Sequence, residues 1–168
     1  MPLYRTSAMQ LEDIVLGITA FNRPRLLERL VASVRSLYPK LQILIADNGW
    51  EPANLDGWDG VTMVDVETDC GLSASRNALA AACPTSLMCL AEEDFVFTEQ
   101  TDLAAGVAIM ADNPKLGMLG GSLIQAGQVQ HYARNFRRES HPEGDVLKAV
   151  PAGGPMMRQG PHSASWRR

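Results

Sequence analysis

The chain has 168 residues, 46% hydrophobic and 20% charged, which suits one globular domain that needs no disulfide or metal to hold its core and excludes a disordered chain. Its 15 Lys and Arg against 19 Asp and Glu give a formal net charge of −4, which argues against nonspecific nucleic-acid binding, since that needs a basic footprint. No apolar run reaches the ~18 residues of a membrane helix, and the N-terminal MPLYRTSAMQLED carries no signal-peptide stretch, so no transmembrane segment and a cytoplasmic location are expected.

The first element is Ile14-Val15-Leu16-Gly17-Ile18-Thr19, a continuous apolar, β-branched run of the kind that forms a strand covered on both faces. Pro24 then suits the first turn of a helix. Leu26, Leu27, Leu30, Val31, Val34 and Leu37 recur at three- and four-residue steps along one helix face, and Pro39 stops it. A second buried strand, Ile43 to Ala46, ends at Asp47-Asn48-Gly49, and a loop rich in Gly, Pro, Asn and Asp runs from Trp50 to Gly60. Val61 to Val66 alternates weakly, as an edge strand does. Gly71 precedes a helix expected over Ser73 to Ala82, with Ser73 as N-cap. Leu87 to Ala91 is a fourth strand running into Glu92-Glu93-Asp94. Thr98 is expected to cap a helix carrying Leu103, Val107 and Met110, ended by Asn113-Pro114. Leu116 to Leu119 is expected as a fifth strand.

Past residue 125 no strong period is visible. Residues 125–168 hold six arginines, one lysine and all three histidines, and end in a Gly-, Pro- and Ser-rich stretch. Val146 to Val150 could form one more strand. The expected organisation is therefore a domain over residues 1–124 and an irregular basic, Gly/Pro-rich tail over 125–168. Strands alternating with helices predict an α/β fold, a mostly parallel sheet with helices on both faces. In such sheets ligands bind beyond the carboxyl ends of the strands, and Asn22, Asp47 and Asp94 all fall there.

The three cysteines, Cys70, Cys83 and Cys89, show no CxxC pair, and His131, His141 and His162 are too far apart to make an HExxH site. Chemistry is better sought at the strand ends. Glu92-Glu93-Asp94 crowds three acids onto one rim, which suits a hard cation such as Mg²⁺ or Mn²⁺ sharing a diphosphate; a solvated acidic turn explains the same residues. Asp69-Cys70-Gly71 leads into a helix presenting Arg76 and Asn77, an arrangement that favours an anion, and is equally an ordinary capped helix with a surface arginine. Thr19-Ala20-Phe21 after the first strand could cradle a flat base, or simply form a strand-to-helix loop. Asp47 could accept a hydrogen bond from a base or a ribose, or serve its turn.

Order and spacing bring these signals together. The stretches IVLGITAFNRPRLLERLVASV, ILIADNG, TDCGLSASRNALAAA and CLAEEDFVF follow one another over about residues 13–121, and in that order they resemble the nucleotide-sugar-binding half of family 2 glycosyltransferases with the GT-A fold. The resemblance implies a GT-A-like (Rossmann-like) sheet whose C-terminal half is incomplete. It implies that Thr19, Ala20 and Phe21 line the base pocket, that Asp47 bonds the base, usually uracil, and that Gly71, Arg76 and Asn77 face the nucleotide. Glu92-Glu93-Asp94 stands where the family has its DxD motif. Asp94 would then ligate Mn²⁺ or Mg²⁺ on the diphosphate, with Glu93 beside it and Glu92 facing the ribose or the metal. Glu92 departs from the usual aspartate by one methylene of reach.

The function implied is metal-dependent, inverting transfer of a hexose or N-acetylhexosamine from a nucleotide-sugar, UDP-linked by resemblance, to an unidentified glycan or lipid acceptor. Inversion needs a general base for the acceptor hydroxyl. The acids after Asp112 are Glu139, Glu143 and Asp145, none in the acidic pair the family uses, so no catalytic base is assigned. The chain reads as a donor half that stops early, through natural truncation, excision or a shifted frame. A second reading is therefore a nucleotide-sugar-binding module without catalysis. A truncated sheet would expose an edge that invites a homodimer. A receiver domain or a dinucleotide or P-loop fold is disfavoured, because Thr19-Ala20-Phe21 stands where an acidic pair, GxGxxG or GxxxxGK[ST] would be needed.

Overall fold

A computed structural model describes residues 11–125, 127–131, 134–141 and 144–151. After a short 3₁₀ turn at Leu11–Asp13 come β1 (Ile14–Ala20), α1 (Pro24–Leu37), β2 (Gln42–Asp47), β3 (Val61–Met63), α2 (Gly71–Ala82), β4 (Leu87–Glu92) and α3 (Leu103–Asp112). Then follow β5 (Ser122–Gln125), β6 (Gln128–His131), β7 (Arg134–His141) and β8 (Gly144–Pro151). The first four strands form one sheet in the order β3-β2-β1-β4, all parallel, with β3 on an edge. This is the expected α/β, Rossmann-like, GT-A-type architecture.

The two faces of β1 explain its unbroken apolar run. Leu16, Ile18 and Ala20 pack with Ile43 and Ile45 of β2 against Leu27, Leu30, Val31 and Val34 of α1 and against Leu103 and Val107 of α3. Val15 faces the other way, and with Leu44 and Ala46 it meets Leu79 of α2. Every residue of β1 is buried. Each fully buried Leu, Ile or Val contributes about 1.5–3 kcal/mol relative to exposure, so the sheet centre is the anchor on which the strand ends are positioned.

Several boundaries differ from expectation. The third strand stops at Met63 rather than Val66, although Val64 N–H still reaches Ile45 O at 2.7 Å. The second helix starts at Gly71, not Ser73. The helix expected from Thr98 starts at Leu103, because Asp102 Oδ1 accepts from Ala105 N–H at 2.9 Å and so caps it. Thr98 and Thr101 instead close a local turn, with Thr98 N–H donating to Thr101 Oγ1 at 3.0 Å. Tyr38 OH donates to Thr101 O at 2.5 Å and accepts from Leu103 N–H at 3.2 Å, occupying another free donor of that helix start.

The chain forms two compact units, divided between Val107 and Ala108. In the second unit the fifth strand lies at Ser122–Gln125, not 116–119, and pairs antiparallel with β6; β7 pairs antiparallel with β8. Two hairpins thus occupy much of the span in which no period was legible. Among the described residues the strands of each hairpin pair with each other, so neither run must be apolar on both faces. Glu139 lies in β7 and Asp145 in β8, whereas Glu143 and the 152–168 stretch fall outside the described residues. No helix among the described residues is long and apolar enough to cross a membrane.

Candidate functional site

Parallel pairing brings three strand ends to one rim. Ala20 of β1 stands opposite Asp47 of β2, and Thr19 of β1 opposite Glu92 of β4. Thr19, Ala20 and Asp47 are buried there, while Phe21, one residue beyond, is exposed.

The β1–β2 side of the rim is built from backbone hydrogen bonds. Asn22 adopts a positive φ of 54°, a left-handed conformation that asparagine tolerates better than most residues. Its Oδ1 accepts from Trp50 N–H at 2.8 Å. Gly49 lies so close that a Cβ there would sit 2.8 Å from Asn22 N and 2.9 Å from Asn22 Oδ1, which fixes glycine at that position. The Asp47 carboxylate accepts from Gly49 N–H at 3.0 Å through Oδ1 and from Ala53 N–H at 2.9 Å through Oδ2. Charge-assisted bonds of this kind are about twice as strong as neutral ones, so Asp47 holds the loop after β2 in place.

Asn48 joins that side to α2. Its backbone N–H reaches Ala20 O at 3.1 Å, and its carbonyl accepts from Asp69 N–H at 2.8 Å. With its amide oriented as these neighbours require, the side chain donates to Ala20 O at 2.9 Å and accepts from Gly71 N–H at 3.0 Å. Gly71 has φ +83°, a region open to glycine. Asn48 therefore takes the first free N–H of α2, leaving that helix start less available to an anion than the sequence suggested.

The β4 side is built from ion pairs. Arg76, on the outer face of α2, donates through Nη2 to Glu92 Oε1 at 2.9 Å. Arg23 Nη1 lies 3.4 Å from Glu93 Oε1 and 3.6 Å from Asp94 Oδ2. Glu93 is nearly buried, with 11% of its side chain exposed, whereas Asp94 and Glu92 expose 46% and 45%. Arg29 also donates to the Asp94 carbonyl at 3.4 Å. Three carboxylates thus face two arginine partners; the pairs of Glu92 and Asp94 are exposed and worth under about 1 kcal/mol each, which a better cation or anion can displace.

The donor atoms fit a divalent ion of a particular kind. Among the described residues no three His, Cys, Asp or Glu side chains converge as a cage. One or two carboxylates at a strand tip suit Mg²⁺ or Mn²⁺, which take their remaining oxygens from water and a diphosphate. Asp94 and Glu92 are the exposed carboxylates at this tip, while Glu93 is nearly buried against Arg23, which also reaches Asp94.

The structure thus brings Thr19, Ala20, Asp47, Gly71, Arg76, Glu92, Glu93 and Asp94 into one connected rim. Phe21 and Asn77 lie beside it, both exposed, and the Asn77 side chain makes no hydrogen bond among the described residues. Three connecting residues went unassigned in the sequence: Arg23, Asn48 and Trp50. Each follows a buried strand within a few residues, and that position was their only signal.

An open pocket of about 280 Å³ on the rim is lined by Asn22, Pro24, Trp50 and Glu51. A larger one of about 630 Å³ lies along residues 52–58 and β3, and touches none of the expected donor residues. Away from the rim, burial pushes the thiol of Cys89, which packs partly buried against the core, from 9.0 up to about 11, so it is inert at neutral pH.

Residues 16–164 match the model of Glycosyl transferase family 2. Mouse beta-1,4 N-acetylgalactosaminyltransferase 1 is 28% identical over 135 residues, 80% of this chain and 24% of that protein. The human protein of the same name is 27% identical over 135 residues, with the same coverage. Mouse beta-1,4 N-acetylgalactosaminyltransferase 2 is 26% identical over 110 residues, 66% of this chain and 21% of that protein. The chain therefore spans less than a quarter of the length of these relatives. No solved structure matches it.

Proposed function

The chain belongs to glycosyl transferase family 2, and from its rim we propose that it binds the nucleotide-sugar donor of a metal-dependent, inverting glycosyltransferase. The observation that carries this reading is the alignment of strand ends: Ala20 beside Asp47, Thr19 beside Glu92, and Arg76 reaching across to Glu92. In the reading the base lies at the β1–β2 end, near Thr19, Ala20, Phe21 and Asp47, and the diphosphate at the β4 end. Asp94, with Glu92, would hold Mn²⁺ or Mg²⁺, which when bound neutralises charge developing on the leaving diphosphate.

The residues of the chain do the positioning. Arg76 and Arg23 sit within reach of the acids and can transfer their donors to phosphate oxygens as the cation takes their place. Gly71 leaves the approach to α2 open, with no atom within 4 Å of where a Cβ would be, and Asn77 follows Arg76 on the exposed side. A UDP-linked donor is the reading the family resemblance favours. The names of the relatives support N-acetylhexosamine as the sugar.

Calorimetric titration with UDP in Mn²⁺ tests the assignment. Asp94→Ala should weaken Mn²⁺-dependent UDP binding at least about tenfold, while equal binding by both proteins removes the metal site. A donor-hydrolysis assay beside it separates an enzyme from a binding module: turnover selects the enzyme, and tight UDP binding without turnover selects the module.

A further inference from the structure

Arg23 is held unevenly. Its carbonyl accepts from Leu26 N–H at 3.0 Å and from Leu27 N–H at 3.1 Å, which fixes its backbone at the start of α1. One guanidinium nitrogen, Nη1, then lies 3.4 Å from Glu93 Oε1 and 3.6 Å from Asp94 Oδ2. Glu93 exposes only 11% of its side chain, and a carboxylate withdrawn from water keeps a cation close, because an unpaired buried charge is costly. The contact with Asp94, exposed on both sides, is the one that exchanges readily. Arg29 Nη2, donating to the Asp94 carbonyl at 3.4 Å, adds positive charge beside the same residue. Arg76 Nη2 meets Glu92 at 2.9 Å. The three carboxylates and the two guanidinium groups paired with them leave one net negative charge at the tip of β4, which attracts a lone divalent ion only weakly.

Resting on the donor-binding reading above, we propose that Arg23, with Arg76 beside it, is a resident counter-cation that closes the tip of β4 to a lone divalent ion and opens it when a diphosphate arrives. Glu93 stations Arg23 beside Asp94. Phosphate oxygens are acceptors that a guanidinium group fits well. A diphosphate at the rim therefore draws the arginine donors to itself and frees Asp94 and Glu92 for the metal. Metal and nucleotide bind as a pair, and each raises the affinity for the other. The arginines thus oppose the metal when it comes alone and favour the nucleotide when both are present, a reversal of sign that a purely structural role for Arg23 does not produce.

The test measures binding of Mn²⁺ alone, from the electron paramagnetic resonance signal of the free ion, and binding of UDP in saturating Mn²⁺, by calorimetry. Arg23→Gln should bind Mn²⁺ alone about fivefold more tightly than wild type and UDP in Mn²⁺ about fivefold more weakly. Arg23→Lys, which keeps the charge, should stay within about twofold of wild type for Mn²⁺ alone. Arg76→Gln, whose pair with Glu92 is exposed on both sides, should move the two affinities in the same opposite directions by about threefold, and it carries the test if Arg23→Gln, with Glu93 left unpaired, does not fold. Unchanged or weaker binding of Mn²⁺ alone in the folded Gln variants overturns the proposal, as does equal tightening in Arg23→Lys. Loss of Mn²⁺-dependent UDP binding in Asp94→Ala then leaves the donor-binding reading standing. Equal UDP binding by wild type and Asp94→Ala overturns the metal site on which the proposal rests.

Discussion

The two ends of the rim are made from different materials. At the β1–β2 end, Asp47, Asn48 and Asn22 are tied to backbone amides and carbonyls at 2.8–3.1 Å, and Asp47 and Asn48 are buried. At the β4 end, the carboxylates of Glu92, Glu93 and Asp94 meet arginine side chains among the described residues, at 2.9–3.6 Å, and two of the three acids are half exposed. Backbone bonds fix a shape, because their partners cannot leave without unfolding the loop. Ion pairs at a surface set a charge balance that is easily renegotiated. Under the proposed function, the fixed end would suit an unchanging base and the adjustable end a cation and a diphosphate.

The contrast is broken most directly at Asp47. Asp47→Ala removes two charge-assisted bonds and leaves Gly49 and Ala53 amides unsatisfied, so it should cost about 3 kcal/mol in a urea-unfolding measurement; a cost below about 1 kcal/mol would show that the loop does not depend on this carboxylate. Gly49→Ala forces a methyl group against Asn22 and should cost about 2 kcal/mol, read as a lower midpoint on the same curve. Cys89 tests the core beneath the rim. Its thiol is held protonated in the folded protein up to about 11, against 9.0 ordinarily. The folded state thus binds more protons than the unfolded state between those values, and stability should fall as pH rises through that window and be insensitive to this group below it. A pH series of thermal melts with Cys89→Ala as control measures that difference, and equal slopes for both proteins would contradict it. The smallest effect belongs to the β4 end: a double-mutant cycle on Arg76 and Glu92 should return a coupling below about 1 kcal/mol, and a larger value would mean that this end is as fixed as the other.

The central sheet was largely legible because burial on both faces imposes a continuous apolar run, as in β1, and because Pro24 and Pro39 bracket α1 in a way few alternatives satisfy. Legibility failed where side chains from distant segments decide a boundary. Gly71 begins α2 with Asn48, far away in sequence, taking its N–H. Asp102 beat Thr98 as the cap of α3 because its carboxylate reaches Ala105 N–H. Of the hairpins after residue 120, the Val146–Val150 run within β8 was visible as a possible strand and the rest was not, because a two-stranded ladder imposes no long apolar pattern. Within the rim, the named acids and Arg76 were visible as motifs. Arg23, Asn48 and Trp50 were not, because their importance lies in what they reach rather than in the residue type.

The turn between β1 and α1 has a consequence for how this rim can change. Asn22 and Arg23 are consecutive, yet the first engages the amide of Trp50 and the second engages Glu93 and Asp94. One peptide unit therefore serves as the fulcrum between opposite poles of the cleft. Adding or removing a single amino acid there would misalign both at once, whereas the stretch from Trp50 to Gly60 can lengthen or shorten past Ala53 without disturbing either. Natural variation in this fold should accordingly accumulate in the second connection and spare the length of the first.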